Sequence, residues 1–325
     1  MQPIKGLHHI TAVASDPQAN ADFYRAVLGQ RLVKTTVNFD DPGTYHLYYS
    51  DYVGTPGTVL TFFPWRHVKR GRAGNGESAA VAYSIRPGSL GFWHEHLERQ
   101  GAQPGVVERR FGAEVLPFTD PDGMRLELVA SDTPAAIQHW GAGPIPEEHS
   151  LLGFHSTTLW LAEIEPTARL LAEHLGYQFV GQEGQRYRYH AASSGPGLYI
   201  DLLHRPGYPL GRFGAGSIHH IAFRAADDQE QGEYLAHLRQ AGQRVTPVQD
   251  RQYFHSIYFR SPGGVLFEIA TDTPGFAIDE PVAELGSSLR LPPWLEPRRT
   301  EIENALPPFG HKAMPKVKEP LPANG

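Results

Sequence analysis

The 325-residue chain contains no cysteine. This one absence excludes disulfides, zinc fingers, thiolate-held iron–sulfur clusters and cysteine nucleophiles, so any metal chemistry must use histidine and carboxylates. Positive charge is also scarce. Lys and Arg number 29 against 35 Asp and Glu, a formal net charge of −6, which argues against a nucleic acid held by phosphate neutralisation. No apolar run approaches the ~20 residues of a membrane-spanning helix, and the opening MQPIKGLHHI lacks a signal-peptide core. The expectation is a soluble, cytoplasmic protein with neither nucleic acid nor membrane as partner. What the chain does have is 17 His, 34 Gly and 28 Pro, with 40% hydrophobic and 11% aromatic residues. That apolar content excludes disorder across the whole chain, and the length suits two domains better than one simple core.

Internal repetition is the first positive signal. Pro121, Gly123 and Glu127 recur as Pro262, Gly264 and Glu268, 141 residues further on, and both stretches continue into Asp-Thr-Pro. Leu28-Gly29 and Val33 recur as Leu175-Gly176 and Val180, 147 residues on. A tandem duplication follows, with a first half over 1–145, a second over 150–275 and a Pro-rich C-terminal tail over 276–325.

Hydrophobic period divides each half again, giving four βαβββ units. Unit A has a strand at 7–14, a helix at 17–28 and strands at 31–38, 44–50 and 58–63. Unit B runs 79–85, helix 89–100, then 105–111, 113–118 and 125–130. Unit C runs 154–161, helix 163–175, then 177–182, 186–191 and 197–203. Unit D runs 217–224, helix 228–241, then 244–248, 254–260 and 265–270. Gly29, Gly101, Gly176 and Gly242 stand where helix C-caps belong. One such unit cannot close a core, so the expected fold class is α+β, with four units pairing into two incomplete barrels whose hollows could take a ligand. The basic, Gly-rich stretch 66–77 reads as a solvated linker. The tail reads as packing back on the body, with a helical piece near 297–305 and a disordered last dozen residues.

The first strands of the units carry the chemistry. Unit A reads Leu7-His8-His9-Ile10-Thr11, unit C Gly153-Phe154-His155-Ser156-Thr157 and unit D Ile218-His219-His220-Ile221-Ala222, whereas unit B has no His there. Strand alternation puts one imidazole of each doublet inside, and aligning His155 with the second position favours His9 and His220. Among the last strands, Glu268 in D matches Glu127 in B, with Phe62 in A and Asp201 in C at the matching positions. A carboxylate in the apolar run Val265-Leu266-Phe267-Glu268-Ile269 is costly unless it has a partner. Two His and one carboxylate from three strands form a facial triad with open positions, the arrangement of non-haem iron(II) oxygenases. Two unit pairings are open. Joining A to D unites His9, His220 and Glu268; joining C to D unites His155, His220 and Glu268. The shared doublets mark A and D as partners.

LHHITA, GSIHHIAF and SPGGVLFEIA on a βαβββ quartet, with TYHLYYSDYVGTPGTVLTFFP, YIDLLH and DRQYFHSIYFR, resemble the vicinal-oxygen-chelate (glyoxalase/bleomycin resistance/dioxygenase) superfamily. Within it they are most similar to ring-cleaving hydroquinone dioxygenases. The resemblance covers essentially the whole chain. It implies iron(II), with Mn(2+) as the alternative metal, held by His9, His220 and Glu268. It also implies His8, Thr11, His219, Arg251 and Tyr258 around a small aromatic substrate, with O2 as co-substrate and aromatic catabolism as setting; a homo-oligomer is compatible with it. By residue type alone, Arg251 and Tyr258 read as a cross-strand pair on a solvated edge. His219 or His8, with an ordinary imidazole pKa near 6.5, would relay protons. Three alternatives stay within the fold: a catechol extradiol dioxygenase using His155, a glyoxalase-type lyase, and a drug-binding resistance protein. The lyase generally needs a fourth protein ligand, at a position matched here by Phe62.

Overall fold

Turn glycines and alternating apolar residues build the four units in the computed structural model, which describes residues 2–132 and 137–310. Unit A comprises β1 (Leu7–Ala14), α1 (Pro17–Asp22), β2 (Arg31–Asn38), β3 (Asp41–Ser50) and β4 (Val59–Pro64). Unit B comprises β5 (Glu77–Ile85), α2 (Leu90–Arg99), β6 (Glu108–Arg110), β7 (Ala113–Thr119) and β8 (Arg125–Ala130). Unit C comprises β9 (Phe154–Leu161), α3 (Glu165–Arg169), β10 (Gln178–Glu183), β11 (Arg186–His190) and β12 (Tyr199–His204). Unit D comprises β13 (Ile218–Ala225), α4 (Asp228–Gln240), β14 (Gln249–Asp250), β15 (Phe254–Arg260) and β16 (Leu266–Pro274). The expected strand at 244–248 is absent. Pro247 has no N–H to give to a ladder, and that stretch is tied to β15 through Thr246, whose N–H and hydroxyl both bond Tyr258 backbone atoms.

The helices of A and C each loosen in their second half into π turns, over Phe23–Val27 and Leu170–His174. Gly29 and Gly176 then stop them, in the left-handed conformation that glycine adopts without steric cost.

Two curled eight-stranded sheets result, ordered β14-β15-β16-β13-β1-β4-β3-β2 and β10-β11-β12-β9-β5-β8-β7-β6. Each sheet takes one unit from each half of the chain: β1 joins β13 antiparallel, and β5 joins β9 antiparallel. This is the A–D pairing. Each sheet packs apolar side chains under its helices, as Tyr24, Tyr49 and Phe62 do in unit A, which leaves the concave face for other side chains.

The stretch 66–77 is more than a solvated linker. Arg70, Arg72 and Asn75 form bridges to residues of the C–D connection, and the buried Asn75 amide donates to the Arg205 and Tyr208 carbonyls at 2.9 and 2.8 Å. The tail does return to the body. Its helix is α5 (Arg299–Ala305), and Asp279 and Glu280 reach the fully buried Lys34 of β2 at 2.6 and 2.5 Å. The last dozen residues and the Thr133-Pro134 repeat end lie outside the described residues.

Candidate active site

The pairing between first strands explains how the histidines meet. His9 faces Ala222 and Leu7 faces Phe223, so His8 is an extra residue between them; likewise Thr11 faces His220 and Ala12 faces Ile218, leaving His219 extra. The other sheet repeats this at Ala79 and His155. Every first strand therefore carries a β-bulge at the first doublet position. A bulge suspends simple alternation, so the two imidazoles of a doublet do not part to opposite faces as expected. His8 Nδ1 lies 2.9 Å from His9 Nδ1, and His219 Nδ1 lies 2.8 Å from His220 Nδ1. The register also corrects the alignment of unit C: His155 corresponds to His8, and Ser156 occupies the place of His9. His155 Nδ1 accordingly contacts Ser156 Oγ at 3.0 Å.

His9, His220 and Glu268 converge. His220 Nε2 is 2.9 Å and His9 Nε2 is 3.4 Å from Glu268 Oε2, and the two Nε2 atoms are 3.3 Å apart. All three side chains are buried, with Glu268 at 0% exposure. Glu268 Oε1 accepts from Ser256 Oγ at 2.5 Å, whereas Oε2 has no hydrogen-bond partner despite its burial. An orphaned carboxylate oxygen facing two imidazole nitrogens is a cluster of lone pairs, and such a cluster suits a cation. The outer contacts agree. If His9 and His220 donate from Nδ1 to His8 and His219, their Nε2 lone pairs are free to ligate. Among the described residues this is the one group of His and carboxylate side chains gathered closely enough to hold a metal ion.

A cavity of about 410 Å³ opens beside the triad, bounded by His9, His219, His220, Arg251 and Tyr258 together with Phe63, Trp65, Phe254 and Leu266. Arg251 and Tyr258 are not on a solvated edge: Arg251 Nε donates to the Tyr258 hydroxyl at 3.3 Å inside the cavity, and Arg251 Nη2 reaches Asp40 across the mouth at 3.0 Å. His8 and Thr11 stand behind the lining. His8 packs edge-on against Phe254. The ordinary pKa near 6.5 expected of His8 and His219 does not hold. Burial first, then the neighbouring imidazole, puts His8 well below it and brings His219 down to about 3, so both rings are neutral near pH 7.

Sequence reasoning missed His46 and Tyr48, which also line the cavity. The His46 ring lies between Tyr48 and Phe63 at 4.1 and 4.2 Å between centroids. Their sole signal was position: both lie in the YHLYY run, two residues apart, on one face of β3. The register moves the unit A counterpart of Glu268 from Phe62 to Thr61, since Ala222 pairs with Glu268 as Thr11 pairs with Thr61. Phe62 faces the helix. Thr61 is already committed to His46 and Thr11 at 2.8 Å each, so no fourth protein ligand of the lyase type stands there.

These features define a β-sheet cup with a buried triad able to hold a metal ion, and the chain belongs to the Glyoxalase/Bleomycin resistance protein/Dioxygenase superfamily, whose model matches residues 6–128 and 153–269. Its relatives over nearly full length are ring-cleaving dioxygenases. The Bacillus subtilis protein named "Putative ring-cleaving dioxygenase MhqO" is 45% identical over 94% of this chain and 96% of its own length. The "Chlorohydroquinone/hydroquinone 1,2-dioxygenase" of Sphingobium indicum is 37% identical over 92% and 95%. The crystal structure of a putative dioxygenase from Bacillus subtilis superposes with a TM-score of 0.92 at 44% identity, covering 95% of this chain and 99% of that one. No helix among the described residues is long and apolar enough to cross a membrane.

Proposed function

We propose that the protein is an iron(II)-dependent dioxygenase that opens the ring of a hydroquinone. The observation that carries this reading is the buried, donorless Glu268 Oε2 facing two imidazole Nε2 atoms at the edge of an aromatic-lined cavity. The relative that acts on chlorohydroquinone and hydroquinone supports it. His9, His220 and Glu268 would hold the metal, which when bound brings dioxygen and ring together and lowers the barrier to their reaction.

The chain's other residues do the positioning. His8 and His219 hold the ligand imidazoles through Nδ1. Tyr258, whose oxygen already accepts from Arg251, keeps its proton for donation to a ring oxygen near the metal. Arg251 balances negative charge there, and Asp40 offsets its own charge at the mouth. Phe63, Trp65, Phe254 and Leu266 exclude water and grip the ring faces. Catechol chemistry built on His155 is disfavoured, because His155 lies in the other sheet. The division 1–145, 150–275 and 276–325 stands as the proposed organisation of the chain.

Anaerobic loading with iron(II), then oxygen uptake with a panel of hydroquinones and catechols, tests the reading. Hydroquinone, or its methyl or chloro derivative, should consume one O2 per ring, with a much smaller kcat/KM for catechol. Equal or better turnover of catechol overturns the hydroquinone assignment and leaves ring cleavage standing.

A further inference from the structure

The cup is pseudo-symmetric about the β1–β13 seam, and its two wings carry matching residues. On one wing Tyr258 stands opposite Glu268; on the other Tyr48 stands opposite Thr61. Two residues before each tyrosine comes a side chain that reaches the same partner: Ser256 Oγ to Glu268 Oε1 at 2.5 Å, His46 Nε2 to Thr61 Oγ1 at 2.8 Å. The Tyr258 wing serves the metal site. The Tyr48 wing has no part in the function derived above.

Proton bookkeeping sets its chemistry. Thr61 donates its single hydroxyl proton to Thr11 Oγ1 at 2.8 Å, so it can only accept from His46, whose Nε2 must carry a hydrogen. Burial disfavours the His46 cation, and a neutral imidazole with Nε2–H has an acceptor at Nδ1. Tyr48 lies 2.8 Å from that Nδ1 and must donate to it. Its one proton is thereby used, and its phenol oxygen, on the cavity wall, is left as an acceptor. Across the cup, the Tyr258 oxygen accepts Arg251 Nε–H.

We propose that Tyr48 accepts a hydrogen bond from the substrate hydroxyl remote from the metal, and that His46, fixed by Thr61, is the positioning residue that makes Tyr48 an acceptor. This rests on the hydroquinone reading: the two hydroxyls of such a ring lie across from each other, so the one that keeps its proton needs a protein acceptor. A site built to take that proton discriminates against a ring that lacks it, because the acceptor is then buried unpaired.

The test is binding without turnover. Iron-loaded protein under nitrogen is titrated calorimetrically with hydroquinone and with 4-methoxyphenol, which has no donor at the remote oxygen. The wild type should prefer hydroquinone by about tenfold, the scale of one well-placed hydrogen bond. Tyr48→Phe should bring the ratio near one by weakening hydroquinone alone. Thr61→Val should lower it in part, Thr61→Ser should restore it, and nitrogen-15 NMR of the metal-free protein should show His46 as one Nε2–H tautomer that Thr61→Val releases. A ratio unchanged in both Tyr48→Phe and Thr61→Val overturns the inference while the hydroquinone reading stands. A wild type that binds neither phenol removes both.

Discussion

The two cups have the same strand plan and the same pair of first-strand bulges, yet opposite uses for their buried charge. In the A–D cup the ligand positions hold His9, His220 and Glu268, and the carboxylate oxygen facing the imidazoles is left without a donor. In the B–C cup the corresponding positions hold Ser156, Ala80 and Glu127, and the place of Thr61 is taken by Asp201. Every carboxylate there is neutralised. Arg188 grips Asp201 through two bonds of 2.8 and 2.9 Å, Arg186 adds a third at 3.0 Å, and Arg110 meets Glu127 at 2.7 Å. Phe111 then lies over the Arg188 guanidinium at 4.1 Å. One cup keeps an unsatisfied donor set for a cation; the other supplies its own cations from arginine. The difference shows how a duplicated scaffold can be specialised at a few inward positions while its register stays constant.

The largest expected effect separates the cups outright. His9→Ala, His220→Ala or Glu268→Ala should abolish both bound iron and oxygen uptake, whereas His155→Ala and Ser156→Ala should retain both. Metal analysis alongside an oxygen electrode checks this, and loss of iron in His155→Ala would mean that the B–C cup contributes to the metal site.

The reverse substitution probes stability. Asp201→Ala leaves the buried Arg188 guanidinium without its carboxylate and takes the same partner from the half-buried Arg186; it should cost about 3–5 kcal/mol of unfolding free energy, read by urea titration, with iron content unchanged. Glu268→Ala in the metal-free protein should cost far less, since it relieves a crowd of lone pairs. Equal losses in the two variants would erase the proposed contrast between a charge that serves the fold and one that serves a ligand.

His8→Ala and His219→Ala should each weaken iron binding by about ten- to a hundredfold, as lost outer partners of metal-bound imidazoles do; competition with a chelator measures it. His155→Ala, at the equivalent bulge, should change nothing in that assay.

The smallest effect is a pH dependence. Burial opposes the Asp201 charge, but Arg188 and Arg186 outweigh it and hold the carboxyl below its ordinary range. The folded value is thus lower than the unfolded one near 3.9. The pair's stabilisation is fully present above that unfolded value and is lost as pH falls through the lower folded one. Asp201→Asn should flatten the acid limb of the stability curve for the metal-free protein below about pH 4; an unchanged limb would assign acid sensitivity elsewhere.

Much of this was legible before any coordinates. The repeat of Pro, Gly and Glu around Glu127 and Glu268 exposed the duplication, and hydrophobic period located all four helices and nearly every strand. His9, His220 and Glu268 were identifiable because histidine doublets and a carboxylate in an apolar strand are costly unless used. The strand sought at 244–248 was not there, since Pro247 interrupts a ladder that the apolar pattern alone suggests. His46, Tyr48 and Thr61 were hidden because their counterparts, Ser256, Tyr258 and Glu268, are mostly of other residue types, so no repeat marked them.

By itself the sequence determined the βαβββ unit, its fourfold repetition, the exclusion of thiol chemistry and two triads able to hold a metal, which share His220 and Glu268 and differ in His9 or His155. Only the tertiary structure decided that A joins D, that His155 answers to His8 and that Thr61, not Phe62, faces Glu268 in the pseudo-symmetry. The reason is the geometry of strands: side chains alternate with a period of two, and one extra residue in a bulge shifts every alignment beyond it. A bulge leaves no compositional trace, so the residues could be read from the chain, but which of them share a face had to come from the pairing of strands more than two hundred residues apart.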